Sequence, residues 1–106
     1  MKLNVLERIT LLQVLPTEGS YITIKLLLDL KAALGFNEKE IKDFSISEKE
    51  GRITWKKSEE KNVEIGEKTR EIIEVALKKL DEAGKVNEQN ITLFKKFIYG
   101  TNSKIT

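Results

Sequence analysis

The sequence predicts a single α+β domain, with about five helices packed around a small two- or three-stranded antiparallel sheet. Three observations lead there. The chain has 106 residues, the size of one domain with one core. Apolar residues recur at helical spacing in several stretches, separated by glycine, proline or asparagine. One stretch alternates instead: "FSISEKEGRITWKK", residues 44–57, reads as a β-hairpin with a charged tip. The expected domain covers residues 1–100, with 101–106 as a flexible C-terminal tail.

The elements follow in order. Leu3, Val5, Leu6, Ile9, Leu12 and Val14 predict a first helix over Asn4–Leu15, with Glu7, Arg8 and Gln13 facing outward and Pro16 ending it. Those three polar residues interrupt the apolar run, so the opening segment does not read as a secretion signal. After the turn "PTEGS", the β-branched "SYIT" is expected to be briefly extended, with Thr23 as an N-cap. Ile24–Leu34 then form a second helix, apolar around so much of its circumference that two faces need cover. Gly35 is expected to end it at positive φ.

In "FNEKEI", Asn37 caps a short third helix over Glu38–Asp43, Glu40 closes the capping box, and Phe36 can staple onto Ile41. The hairpin follows. Phe44, Ile46, Ile53 and Trp55 are expected to face the core, and Gly51 to supply positive φ at the tip. Val63 and Ile65 suggest a third short strand over 63–65. A long helix over Glu67–Ala83 presents Ile72, Ile73, Ala76, Leu77 and Leu80 to the core and ends at Gly84. Asn87 caps a last helix, Glu88–Tyr99, in which Val86 pairs with Ile91 and Ile91, Phe94, Phe97 and Ile98 are buried.

Composition narrows the chemistry. The chain has no cysteine and no histidine, which excludes disulfides, thiolate ligands, imidazole bases and Ser-His or Cys-His catalysis. Nineteen basic and seventeen acidic side chains leave a net charge of +2, well below the surplus of a strong polyanion binder. No stretch approaches the ~20 apolar residues of a membrane span. A cytoplasmic, non-enzymatic protein without metal or cofactor is expected.

Several short motifs remain. The hairpin brings Lys49, Arg52, Lys56 and Lys57 close in sequence; these are the nucleic-acid-binding residues if the hairpin contacts phosphate. "IGEKT", 65–69, echoes a phosphate loop but lacks its first glycine and its spacing, so a plain helix start is the better reading. "NIT", 90–92, matches a glycosylation acceptor but is expected inside a helix. Glu59–Glu60 and Asp81–Glu82 read as solvated surface, and Lys95 and Lys96 beside Tyr99 as an anion-binding candidate or a snorkelling face.

In element order alone, residues 3–57 resemble a winged-helix domain. That resemblance implies a third helix in the DNA major groove and a hairpin on the backbone. The helix carries Glu38, Glu40 and Asp43 against Lys39 and Lys42, a balance that phosphates repel. The overall texture, with "LLxVLPxEGSxIT" and "IxWK…VEIGEK", resembles small uncharacterised bacteriophage and prophage proteins, which implies a bacterial accessory role. The expected function is a protein-interaction module, docking on a partner or on itself; the alternative is a winged-helix-like DNA-binding protein. No small-molecule substrate is expected.

Overall fold

The structure, a computed structural model, describes residues 1–99; Gly100 and the tail expected over 101–106 lie outside the described residues. The fold is α+β, with five α-helices and two separate two-stranded antiparallel sheets among the described residues. In chain order the elements are β1 (Lys2–Leu3), α1 (Val5–Val14), α2 (Tyr21–Leu34), α3 (Glu38–Asp43), β2 (Ser47–Lys49), β3 (Arg52–Thr54), β4 (Lys61–Asn62), α4 (Glu67–Glu82) and α5 (Ile91–Phe94). A π-helical turn, Lys95–Tyr99, continues α5.

Local capping chemistry sets most helix starts. Asn4 and Asn37 each close a reciprocal box with the glutamate three residues on, Glu7 and Glu40. At α2 the cap differs from expectation. The Ser20 hydroxyl accepts from the Thr23 N–H at 3.2 Å, so the helix begins at Tyr21 and absorbs "YIT" despite its strand propensity. The second correction is at the other end of α2. Gly35 sits at φ −63°, with no left-handed turn. The carbonyls of Leu34 and Gly35 are instead satisfied by the Arg8 guanidinium, which removes the need for a glycine-specific cap. Near the C-terminus Asn87 accepts from the Gln89 and Asn90 N–H groups, so it caps a turn over 88–90 and α5 proper starts later, at Ile91.

The main core gathers one stripe from each long element: Leu11 and Leu15 of α1 and its end, Leu27, Leu30 and Leu34 of α2, Ile73 and Leu77 of α4, then Leu93, Phe94 and Phe97. Ile72 and Leu80 flank it. Ile91, expected inside, is exposed; Leu93 takes that place. A smaller cluster of Val5, Ile9 and Phe44 packs with Phe36, Ile46 and Trp55 at the root of the hairpin.

The β structure divides in two. β2 and β3 pair as Ser47↔Thr54, Glu48↔Ile53 and Lys49↔Arg52. Their two-residue turn has Glu50 at φ 53° and Gly51 at φ 78°, the double left-handed geometry that suits tight hairpins. The expected third strand over 63–65 falls two residues earlier, at Lys61–Asn62, and it joins β1 rather than the hairpin. Val63 is buried and its N–H donates to the Met1 carbonyl. Pairing with the chain's opening residues buries Leu3 and Val63 together, which a three-stranded hairpin sheet would have left apart.

Candidate interaction surfaces

Alternation in the hairpin sorts its side chains by face. Ser47 and Thr54 lie on one side, their hydroxyls 3.1 Å apart, and Lys49 and Arg52 follow on the same side, directly opposite each other. Glu48 and Ile53 share the other side, which leads back to Ile46 and Trp55. The register thus separates Glu48 from Lys49, although the two are adjacent in sequence. Lys56 and Lys57 lie beyond β3, where both backbone N–H groups donate to the Phe44 carbonyl. Lys57 pairs with Glu59 at 3.1 Å. Of the four cations named for the alternative, phosphate-contacting reading, the structure therefore places Lys49 and Arg52 side by side and pairs Lys57 with an acid.

The hairpin is less embedded than its pattern suggested. Phe44 is buried, Ile46 and Trp55 are half-buried, and Ile53 is 37% exposed. Only the root reaches the small cluster, because α3 ends at Phe44 and the strands run on beyond it. A cleft of about 520 Å³ separates β3 from Leu6, Ile9, Thr10 and Gln13 of α1.

The molecule's strongest electrostatics are internal. Arg8 and Glu7, both expected on the surface, are fully buried. Arg8 Nη1 donates to Glu40 Oε2 at 2.6 Å and Nη2 to Glu40 Oε1 at 3.2 Å. Nε donates to the Leu34 carbonyl at 3.0 Å, and the guanidinium stacks 3.9 Å from the Phe36 ring centroid. Phe36 is thus spent on Arg8 and on the Val5–Ile9–Phe44 cluster. The cation meets the negative end of α2 and a carboxylate in the first turn of α3, so both helix dipoles favour the arrangement. Hydrogen bonding from Arg8 holds the Glu40 carboxyl below its ordinary range; burial opposes this, and the Asn37 N–H adds to it.

A second knot ties the C-terminal turn to the start of α1. Lys96 Nζ donates to Glu7 Oε1 at 2.8 Å, to the Lys2 carbonyl at 2.7 Å and to Glu60 Oε2 at 3.2 Å. Burial penalises its charge, yet the bonds to Glu7 and Glu60 outweigh that and its pKa lies above the ordinary lysine value. Lys96 is therefore an internal tether rather than an anion site, while Lys95 and Tyr99 stay exposed. Arg70 reaches the carbonyls of Lys96 and Phe97 at 3.4 Å, covering the open end of the π turn. Neither knot was visible from composition; "NVLE" at 4–7 is a capping box like "NEKE", which marks Glu7 and Glu40 as helix-start residues but does not reveal their cationic partners.

The remaining motifs are structural. Gly66 is the N-cap of α4, Thr69 is buried and Lys68 exposed, as a plain helix start requires. Asn90 is buried and spent on the Asn87 N–H and the Lys85 carbonyl. Among the described residues no cluster of three or more acids is arranged to hold a metal, and no helix is long and apolar enough to cross a membrane.

Of the exposed large apolar side chains, the three most exposed outside the C-terminal turn lie together on α2; Val75 of α4, Ile41, Ile53 and Ile91 are exposed singly. Leu27, Leu30 and Leu34 point inward, while Tyr21 is 79% exposed, Leu28 61% and Ile22 57%. Lys25, Asp29 and Ala32 share that outer sector. Nearby, an open groove of about 700 Å³ runs between Val14, Pro16 and Thr23 on one bank and Ile72, Val75 and Leu80 of α4 on the other. Set against protein-family models, curated proteins and solved structures, the chain matches none of them at a significant level.

Proposed function

We propose that the protein is a non-catalytic interaction module that docks on another protein surface through the outer face of α2. One observation carries the reading: three large apolar side chains on one helix sector stand in water although the same helix has a complete inward stripe. The buried and half-buried ionisable groups support it from the other side, because Glu7, Arg8, Glu40 and Lys96 are all engaged in pairs with one another. The accessory role in a bacterial cell implied by the phage-protein resemblance belongs to the same reading. Purifying the parent and a Leu28→Glu variant from the native host, followed by mass spectrometry, tests it. A partner retained by the parent and lost by the variant supports the proposal; identical recoveries refute it.

A second reading has its own observation. The register sets Lys49 and Arg52 together on a hairpin face that lacks Glu48, which is the local geometry of a phosphate contact. Titration with duplex DNA at two salt concentrations tests it. Affinity no tighter than the ~10⁻⁴–10⁻⁶ M of non-specific association would leave the hairpin as structure.

A further inference from the structure

We propose that the occupant of the α2 face is a second copy of the same chain, paired antiparallel about a two-fold axis. This deepens the interaction reading and rests on it. Tyr21, Lys25, Leu28 and Ala32 follow one another at spacings of four, three and four residues, which is the alternation of a coiled-coil seam. All four are exposed. The spacing is a palindrome. A two-fold axis midway between Lys25 and Leu28 sets Tyr21 opposite the partner copy's Ala32, and Leu28 opposite the partner copy's Lys25. Each large side chain then meets a small or flexible one, as interdigitated seams require.

Charge completes the self-complementarity. Asp29 lies beside Leu28 on the same outer sector, so the Lys25 stem that covers Leu28 of the other copy brings its ammonium to Asp29 of that copy. The two-fold repeats the pair. Within one chain Lys25 and Asp29 form no ion pair with each other or with any other described residue. A lysine four residues before an acid is the weaker order for an intrahelical pair, which leaves both groups to an intermolecular partner. The seam is short, about 16 Å over three turns at 1.5 Å per residue, so the dimer is a weak one that forms with rising concentration.

Sedimentation equilibrium of the purified chain, from micromolar to millimolar, is the test. The parent is expected to pass from monomer to dimer, and Leu28→Glu to remain monomeric. Lys25→Asp and Asp29→Lys each place like charges at both symmetry-related contacts, and each should lower the dimer constant about tenfold or more. Mixed together, the two variants should form a heterodimer at least as stable as the parent dimer, because each then supplies the charge the other lacks. All these positions are exposed, so folding is expected to survive, and circular dichroism confirms it. A parent that stays monomeric, or variants that dimerise like the parent and gain nothing on mixing, overturns the proposal. Monomeric behaviour combined with loss of a host partner in Leu28→Glu refutes self-pairing alone and leaves the interaction module standing.

Discussion

Replacing Glu40 by glutamine isolates the charge in the Arg8 knot, because glutamine is an equally good closing residue for the Asn37 capping box and keeps the side chain's shape. The change is nevertheless costly. The amide retains one acceptor where the carboxylate offered two, so one of the two guanidinium bonds is lost and the other weakens. Arg8 is left fully buried without a counter-charge, held by the Leu34 and Gly35 carbonyls, the Phe36 ring and one weaker bond to the amide. Removing one partner of a buried pair costs ~3–5 kcal/mol. The Glu40 side chain is 16% exposed and the two carbonyls still solvate Arg8, so the cost falls below that range, about 2–3 kcal/mol near pH 7. For a domain of this size that is a fall of roughly 10–20 °C in Tm, read by circular dichroism and checked by urea titration. The sign with pH is fixed. A carboxyl whose folded-state pKa is depressed stabilises above its ordinary value of 4.5 and loses that contribution as pH falls through the folded-state value. The parent should therefore approach the variant in stability as pH drops from about 5 toward 2. Parent and variant melting alike at pH 7, or keeping a constant gap down to acid, would refute the account of the knot.

Other perturbations have equally definite outcomes. Lys96→Ala strands the buried Glu7 carboxylate and should cost about 2–4 kcal/mol in urea titrations at neutral pH, discounted for the partial exposure of Lys96. Because the folded-state pKa of Lys96 is raised, its contribution holds below pH 10.5 and fades as pH rises through the folded value, so parent and variant should converge only in strong alkali. Gly35→Ala should be neutral or stabilise by ~0.4–1 kcal/mol, since φ is −63° and a Cβ would stand 3.5 Å from the nearest carbonyl. Gly51→Ala, at φ 78°, should instead destabilise by about 1 kcal/mol; equal melting of the two variants would contradict the backbone assignment. Trp55→Ala should cost about 1–3 kcal/mol, less than a fully buried aromatic, with partly water-exposed emission in the parent, because Trp55 borders a small cluster and is half-buried.

The parts of this fold that were legible from sequence are those whose cause is local. Asn37 and Glu40 fix α3 within four residues, Gly51 fixes the hairpin tip, and the stripe from Ile73 to Leu80 fixes the inner face of α4. Arg8 was not legible. Its partners lie 26 to 32 residues away, and a charged residue in an amphipathic helix ordinarily faces water. Gly35 followed from the same blindness: a glycine after a helix suggests a left-handed cap until a guanidinium supplies the missing donors. The apolar circumference of α2 was plain, but which sector stays bare depends on where α1 and α4 pack, a tertiary fact. The pairing of β4 with β1 was hidden for a related reason, since two-residue strands carry too little pattern to reveal a contact across sixty residues.

The charge on one face of the hairpin also bears on how the protein stays dispersed. β2 and β3 bond only to each other, so among the described residues their outer edges carry backbone groups that no third strand satisfies. Such an edge invites the same strand of a neighbouring molecule, and Ile53 would give the pairing an apolar face. Lys49 beside Arg52 opposes one form of that approach, since two hairpins stacked edge to edge with their tips aligned would crowd four cations on one face. Like charges set opposite each other cost their own hairpin slightly, and charge along an edge strand works against edge-to-edge growth of a sheet whether or not a ligand is bound.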